Sequence, residues 1–192
     1  VLESLEHPPF PLLTWDHYFW VADVTLPSWA GFTVYPDADA VSRGEETSNG
    51  TARLSLSPVS SQERTPPTYE QVVAFQYLLN HEPTIAANVA LDLVEYCPGH
   101  AYAGDDDVLL DVNRVDDLRS LIRLIGVHVL NVFRDGAACI GFEFDCAWDS
   151  EHGVGVMIHQ GQVIAIGQAD CSFTEWIAQQ GLQRRVPPRV AP

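Results

Sequence analysis

Ile140, Phe142, Phe144, Cys146 and Trp148 alternate with Gly141, Glu143, Asp145 and Ala147, the period of two expected of a strand with one packed face and one wet face. Residues 149–153 turn the chain, and Val154, Val156 and Ile158 carry a second alternation. Gln160-Gly161 has the residue types of a two-residue hairpin turn, after which 163–166 returns. Upstream, 127–133 reads as the preceding strand, turned by Arg134-Asp135-Gly136. The C-terminal third is thus an antiparallel β-meander, followed by a short helix over 172–180 with Ser172 as its cap.

Residues 12–36 are aromatic and β-branched, and Pro27 and Gly31 divide them into two expected strands. Residues 37–50 have no period and read as a mobile loop. In 51–57, Ala52, Leu54 and Leu56 alternate with Arg53, Ser55 and Ser57, a strand that completes an N-terminal antiparallel sheet. The polar stretch 58–67 is the candidate subdomain boundary.

The centre is helical. Thr68 is placed as an N-cap with Gln71 as its capping-box partner, and Val72, Phe75, Tyr77, Leu78 and Leu79 form the expected buried face. Pro83-Thr84 opens a second helix with Ile85, Val89, Leu93 and Tyr96 at helical spacing, ended by Pro98-Gly99, and 116–124 reads as a short third. The order predicts an α+β class: N-terminal antiparallel strands, central helices, then the C-terminal antiparallel β-meander and its short helix. A single domain over 1–183 with a flexible tail at 184–192 fits the length of 192 residues.

Charge changes the picture. There are 26 acidic and 10 basic residues, a net charge of −16, and every basic residue is arginine. Such a chain repels nucleic acid and anionic membrane surfaces, and its natural complement is a basic protein. No apolar run approaches the ~18 residues of a membrane helix, and the start Val-Leu-Glu-Ser-Leu-Glu-His has no basic stretch leading into an apolar one, so cytoplasmic residence is expected.

Candidate chemistry is sparse. Asp149, Glu151 and His152 share one turn, and His159 follows on the next strand; these are ligand and acid–base types, but the spacing matches no established metal motif, so no metal or other cofactor is expected. Turn architecture competes with chemistry there: Asp149 as an Asx cap, Gly153 at positive φ, and His152 packed on Trp148. Asp105, Asp106, Asp107, Asp111, Asp116 and Asp117 resemble a calcium loop only in composition and are the candidate contacts for a basic partner. Cys97, Cys139, Cys146 and Cys171 show no C-x-x-C spacing and read as buried free thiols, with Cys139 and Cys146 on opposite faces of one strand. Serine-nucleophile and Walker motifs are missing, so no catalytic residue is assigned.

The string Phe144-x-Cys146-x-Trp148-Asp149-x-Glu151-His152-Gly153-x-Gly155-Val156, with Val163-x-x-Ile166-Gly167 and Ala169-Asp170 behind it, resembles the C-terminal signature of a widespread bacterial domain of unknown function. The resemblance extends upstream to Pro67-x-x-x-Gln71, Phe75-x-Tyr77-Leu78-Leu79-Asn80 and Glu95-Tyr96. It implies kinship with the small single-domain immunity proteins that accompany secreted polymorphic toxins. The expectation is an immunity protein that binds a cognate toxin through an acidic surface, with a metal-assisted hydrolase or lyase using Asp149, Glu151, His152 and His159 as the alternative.

Overall fold

The computed structural model describes residues 3–34, 47–60, 64–97, 102–103, 108–109 and 112–184. In chain order the strands are β1 (Ser4–Leu5), β2 (Leu13–Trp15), β3 (Trp20–Ala30), β4 (Asn49–Leu56), β5 (Tyr102–Ala103), β6 (Val108–Leu109), β7 (Ile122–Arg134), β8 (Ala137–Cys146), β9 (Val154–His159) and β10 (Gln162–Gly167). Helix α1 (Tyr69–Tyr96) follows β4, and α2 (Glu175–Gln183) follows β10. The class is α+β, as the patterning predicts.

The two sheets expected from the sequence are one. Eight strands run in the order β1-β2-β3-β4-β7-β8-β9-β10, while β5 and β6 pair only with each other. The join is β4 against β7, a parallel pair with Arg53 opposite Gly126 and Ser55 opposite His128. A parallel pair needs a long crossover, and α1 lies within it. Pro27, expected to end a strand, lies inside β3, where the register with β4 shifts between Thr25 and Ala30; a bulge tolerates the missing N–H. Two of the three meander turns are two-residue hairpins with positive φ at both residues: Asp135 and Gly136 at 50° and 75°, Gln160 and Gly161 at 48° and 77°.

Helix α1 begins as read. Thr68 Oγ1 accepts from Gln71 N at 3.3 Å, and Gln71 Oε1 accepts from Thr68 N at 2.9 Å. Gln71 Nε2 also donates to the carbonyls of Ser57 and Val129, tying the helix start to the sheet. The two expected helices meet end to end within α1 at a kink at His81, whose φ/ψ of −123°/18° is non-helical, so Pro83 lies in the first turn of the second. Glu82, beside the bend, buries its carboxylate against Ser28, accepting from Ser28 N at 3.0 Å and Oγ at 2.8 Å. Tyr77 and Leu79 fall outside the buried face, which runs through Ala74, Phe75, Leu78, Ile85, Val89 and Leu93. The third helix is a short 3-10 helix, Val115–Ser120, because the alternating Ile122 and Leu124 already belong to β7.

α1 covers one sheet face, and the main core lies between them: Trp29 stacks edge-on to Phe144 at 4.9 Å, and Phe10 lies on Phe75 at 4.7 Å. Residues before and after 58–67 share this cluster. The opposite face, expected to be wet, is half covered. A 3-10 turn, Ala169–Ser172, and α2 lie over it, burying Leu130, Val132, Cys139, Met157, Ala178 and Leu182 as a second cluster. Ser172 is a buried part of that turn and not the α2 cap, which falls to Thr174. Gly141 and Gly155 make this seat possible: a Cβ on Gly141 would lie 1.6 Å from Ser172 O, and one on Gly155 2.7 Å from Ala169 O.

Candidate functional site

Where the 3-10 turn stops, the sheet face over β3, β4, β7 and the end of β8 stays open and polar. Asp23, Thr51, Arg53 and Arg123 border a shallow concavity of about 520 Å³ on it. Alternation directs Arg53 and Ser55 of β4 to this face, because Ala52, Leu54 and Leu56 face the core. The parallel register then sets His128 beside Ser55, and the antiparallel register sets Glu143 beside Gly126.

The result is a hydrogen-bonded chain across three strands. Ser55 Oγ and His128 Nδ1 are 2.7 Å apart, and His128 Nε2 and Glu143 Oε2 are 2.8 Å apart. A carboxylate only accepts, so Nε2 carries the proton, and in the neutral ring Nδ1 accepts the serine hydroxyl. The His128 and Glu143 side chains keep 18% and 24% of their surface, and Phe173 meets the imidazole edge-on at 5.4 Å. Gly126 leaves room for the chain, since a Cβ there would lie 2.9 Å from both Glu143 Oε2 and His128 Nε2. Sequence patterning singles out none of these residues as a site. A glycine inside the β-branched run of β7 is the available signal, because strand glycines mark bulges or close approaches.

The signature turn is built as turn architecture. Asp149 Oδ1 accepts from His152 N at 3.0 Å and pairs with His152 Nδ1 at 2.9 Å, while Oδ2 accepts from Gln168 Nε2 at 3.1 Å. Burial pushes the Asp149 carboxyl up, but the bonds from His152 and Gln168 outweigh it and the net shift is down. His152 is raised, first by its bond to Asp149 and then by that carboxylate's charge. Gly153 has φ of 66°, with Phe144 O placed 2.5 Å from where a Cβ would sit. Trp148 is buried in the main core, 8% exposed. Glu151 is exposed. The signature residues Asp149, Gly153, Gly155 and Ala169 thus meet where the 3-10 turn seats on β9.

His159 does not join them. It lies at the far end of β9, and at ~3.3 Å per residue its distance along the chain from His152 is roughly 20 Å. Its Nε2 reaches the carbonyls of Arg134 and Ala137 at 2.9 and 3.2 Å, fastening the β7–β8 turn. Among the described residues no three His, Cys, Asp or Glu side chains converge in a way that could hold a metal. Asp117 caps the turn Val115–Ser120, accepting from Asn113 N and Arg114 N, and Asp116 pairs with Arg119. Asp105, Asp106, Asp107 and Asp111 lie outside the described residues, as do the tail from 185 and residues 37–46 of the expected mobile loop.

Six of the seven described arginines are ion-paired within the chain: Arg53 with Asp16, Arg64 with Glu3, Arg114 with Asp117, Arg119 with Asp116, Arg123 with Asp145 and Arg134 with Asp135. Among the described residues little cationic surface is left for an anionic ligand. No described helix is long and apolar enough to cross a membrane.

No curated protein and no solved structure matches the chain. One family does, over residues 46–173, from the approach to β4 through Phe173, whose ring meets His128. The chain therefore belongs to the family described as Domain of unknown function (DUF6985).

Proposed function

We propose that the chain is a cytoplasmic immunity protein that neutralises a cognate toxin by direct binding, offering an acidic surface to a basic partner. The observation that carries the reading is the pairing of the arginines. Six of the seven described ones are engaged by the chain's own carboxylates, so a chain of net charge −16 shows little unpaired positive charge among its described residues. Glu151, Asp170 and Glu175 are exposed in the C-terminal third. A field of that sign steers a basic protein and repels nucleic acid. The resemblance of the signature turn to domains that accompany secreted toxins supports the same reading.

The test is co-expression with the product of the adjacent gene, followed by pull-down and gel filtration. Rescue of growth with a stable complex is the expected result. Reversing two exposed carboxylates, Glu151→Arg with Asp170→Arg, should slow association and weaken its salt dependence while changing dissociation less, because rim charges act mainly on the encounter. Killing that continues with no complex formed would remove the reading.

A further inference from the structure

We propose that Ser55 is an acyl-accepting nucleophile toward small carboxylic esters, with His128 as its base and Glu143 as the positioning residue that orients the base. The proposal does not depend on the toxin-binding reading. It rests on geometry: a serine oxygen 2.7 Å from one imidazole nitrogen and a carboxylate oxygen 2.8 Å from the other. Nucleophile, base and orienting acid are thus linked through one imidazole as in acyl transfer on unrelated folds, with the roles of the two ring nitrogens exchanged. Gly126 supports a selected arrangement. A mid-strand glycine weakens β7, and a Cβ there would lie 2.9 Å from Glu143 Oε2 and His128 Nε2, so the pair would have to shift to admit it.

The surroundings fit a small ester. Phe173, about half exposed, gives an apolar wall beside the imidazole. Arg53 stands two residues along β4 on the same face, its guanidinium 61% exposed but held by Asp16, so it is not a free cation for the carbonyl oxygen. In the sheet interior the main-chain amides of β4 serve the ladder and not an oxyanion, so acylation and deacylation are both slow, and the acyl-serine accumulates only from an ester whose leaving group departs readily.

The step balances without another reactant besides water. Ser55 Oγ adds to the ester carbonyl as its proton passes to His128 Nδ1, and the carbonyl electron pair moves to oxygen. Collapse of the adduct expels the alcohol, which takes the proton from Nδ1. Water then attacks the acyl-serine with Nδ1 accepting its proton, and the carboxylic acid leaves as that proton returns to Ser55 Oγ.

The test is incubation of the full chain with p-nitrophenyl acetate, read as a p-nitrophenol burst and by peptide mass spectrometry. The expected result is one acetyl group, on Ser55, formed at a rate that follows a single imidazole titration. Ser55→Ala should abolish it, and His128→Gln should slow acylation about 10²- to 10⁴-fold and flatten the pH profile. Glu143→Gln should shift that profile to lower pH, which a merely structural role would not do. Ser55→Cys gives a second measurement: its thiol should alkylate faster than free cysteine at neutral pH, against four native thiols that are buried. Acetylation that spares Ser55, acetylation equally fast in folded His128→Gln, or a thiol in Ser55→Cys no more reactive than free cysteine would each overturn the proposal.

Discussion

Gly141→Ala tests the seat that covers the second sheet face. The new Cβ would lie 1.6 Å from Ser172 O, 2.4 Å from its carbonyl carbon and 2.7 Å from its Cα. All three are backbone atoms, so no flexible side chain can swing aside. Restoring the contact to the 3.0 Å below which Cβ atoms are essentially never found requires one backbone to move by about 1.4 Å. β8 is held between β7 and β9 and cannot supply that movement. The turn Ala169–Ser172 must lift instead, loosening the bond from Ser172 Oγ to Ala169 O at 2.6 Å and the cover over Cys139 and Met157. Overpacking costs ~1–3 kcal/mol where side chains can adjust, and a backbone collision belongs at or above the upper end, about 3 kcal/mol. Gly155→Ala, whose closest contacts are 2.7 Å, should lose less, about 1–2 kcal/mol. Urea denaturation of both variants gives the ranking. In Gly141→Ala, Cys171 should also become reactive in the native state. A loss below about 1 kcal/mol with Cys171 still protected would refute the reasoning.

Trp148→Ala should cost roughly 3–5 kcal/mol, because the ring is buried at the end of the β8 core face; equilibrium denaturation showing under about 1 kcal/mol would contradict that placement. The four cysteines are free and buried, and burial pushes Cys97 and Cys171 up to about 11 and Cys139 and Cys146 up to about 12. A thiol reagent should therefore find none in the native protein and four after denaturation without reductant, whereas a count of two would mean a disulfide. The lowered Asp149 stabilises the fold above its ordinary 3.8 and loses that contribution as pH falls through its folded value. The raised His152 contributes below its ordinary 6.5 and loses that contribution as pH rises through its folded value. The pair should hold the turn best between those values, and an Asp149→Asn variant should return the His152 NMR titration toward the ordinary imidazole value.

The elements that sequence resolves are those whose cause is local. Asp135-Gly136 and Gln160-Gly161 announce hairpins because positive φ at two successive residues selects those types, and Thr68 with Gln71 closes its capping box within four residues. Ser55, His128 and Glu143 are separated by 73 and 15 positions, and each reads alone as one polar step in an alternating strand. The β7–β8 hairpin brings His128 to Glu143, but only the parallel register of β4 on β7 adds Ser55, and no local pattern encodes that pairing. Cover on the second face is hidden for a related reason. Gly141 looks like a wet position until the 3-10 turn, about 30 residues later, is folded back onto it. His81 ends helical geometry without any breaker of its own, so the bend registers in sequence only through Pro83.

The order of strands also bears on how the sheet ends. The family match begins at residue 46, just ahead of β4, so β1, β2 and β3 lie outside it and extend the sheet from the side of β4 that β7 does not use. Were they absent, β4 would present a row of unpaired amides and carbonyls beside Leu54 and Leu56, a template for sheet-to-sheet aggregation. The added strands shorten outward, from eleven residues in β3 to three in β2 and two in β1, and a two-residue strand offers too little ladder for another chain to continue. At the opposite margin β10 is interrupted by a bulge between Val163 and Ala165. Both borders thus discourage open-ended strand addition, which favours a discrete particle over a growing fibre.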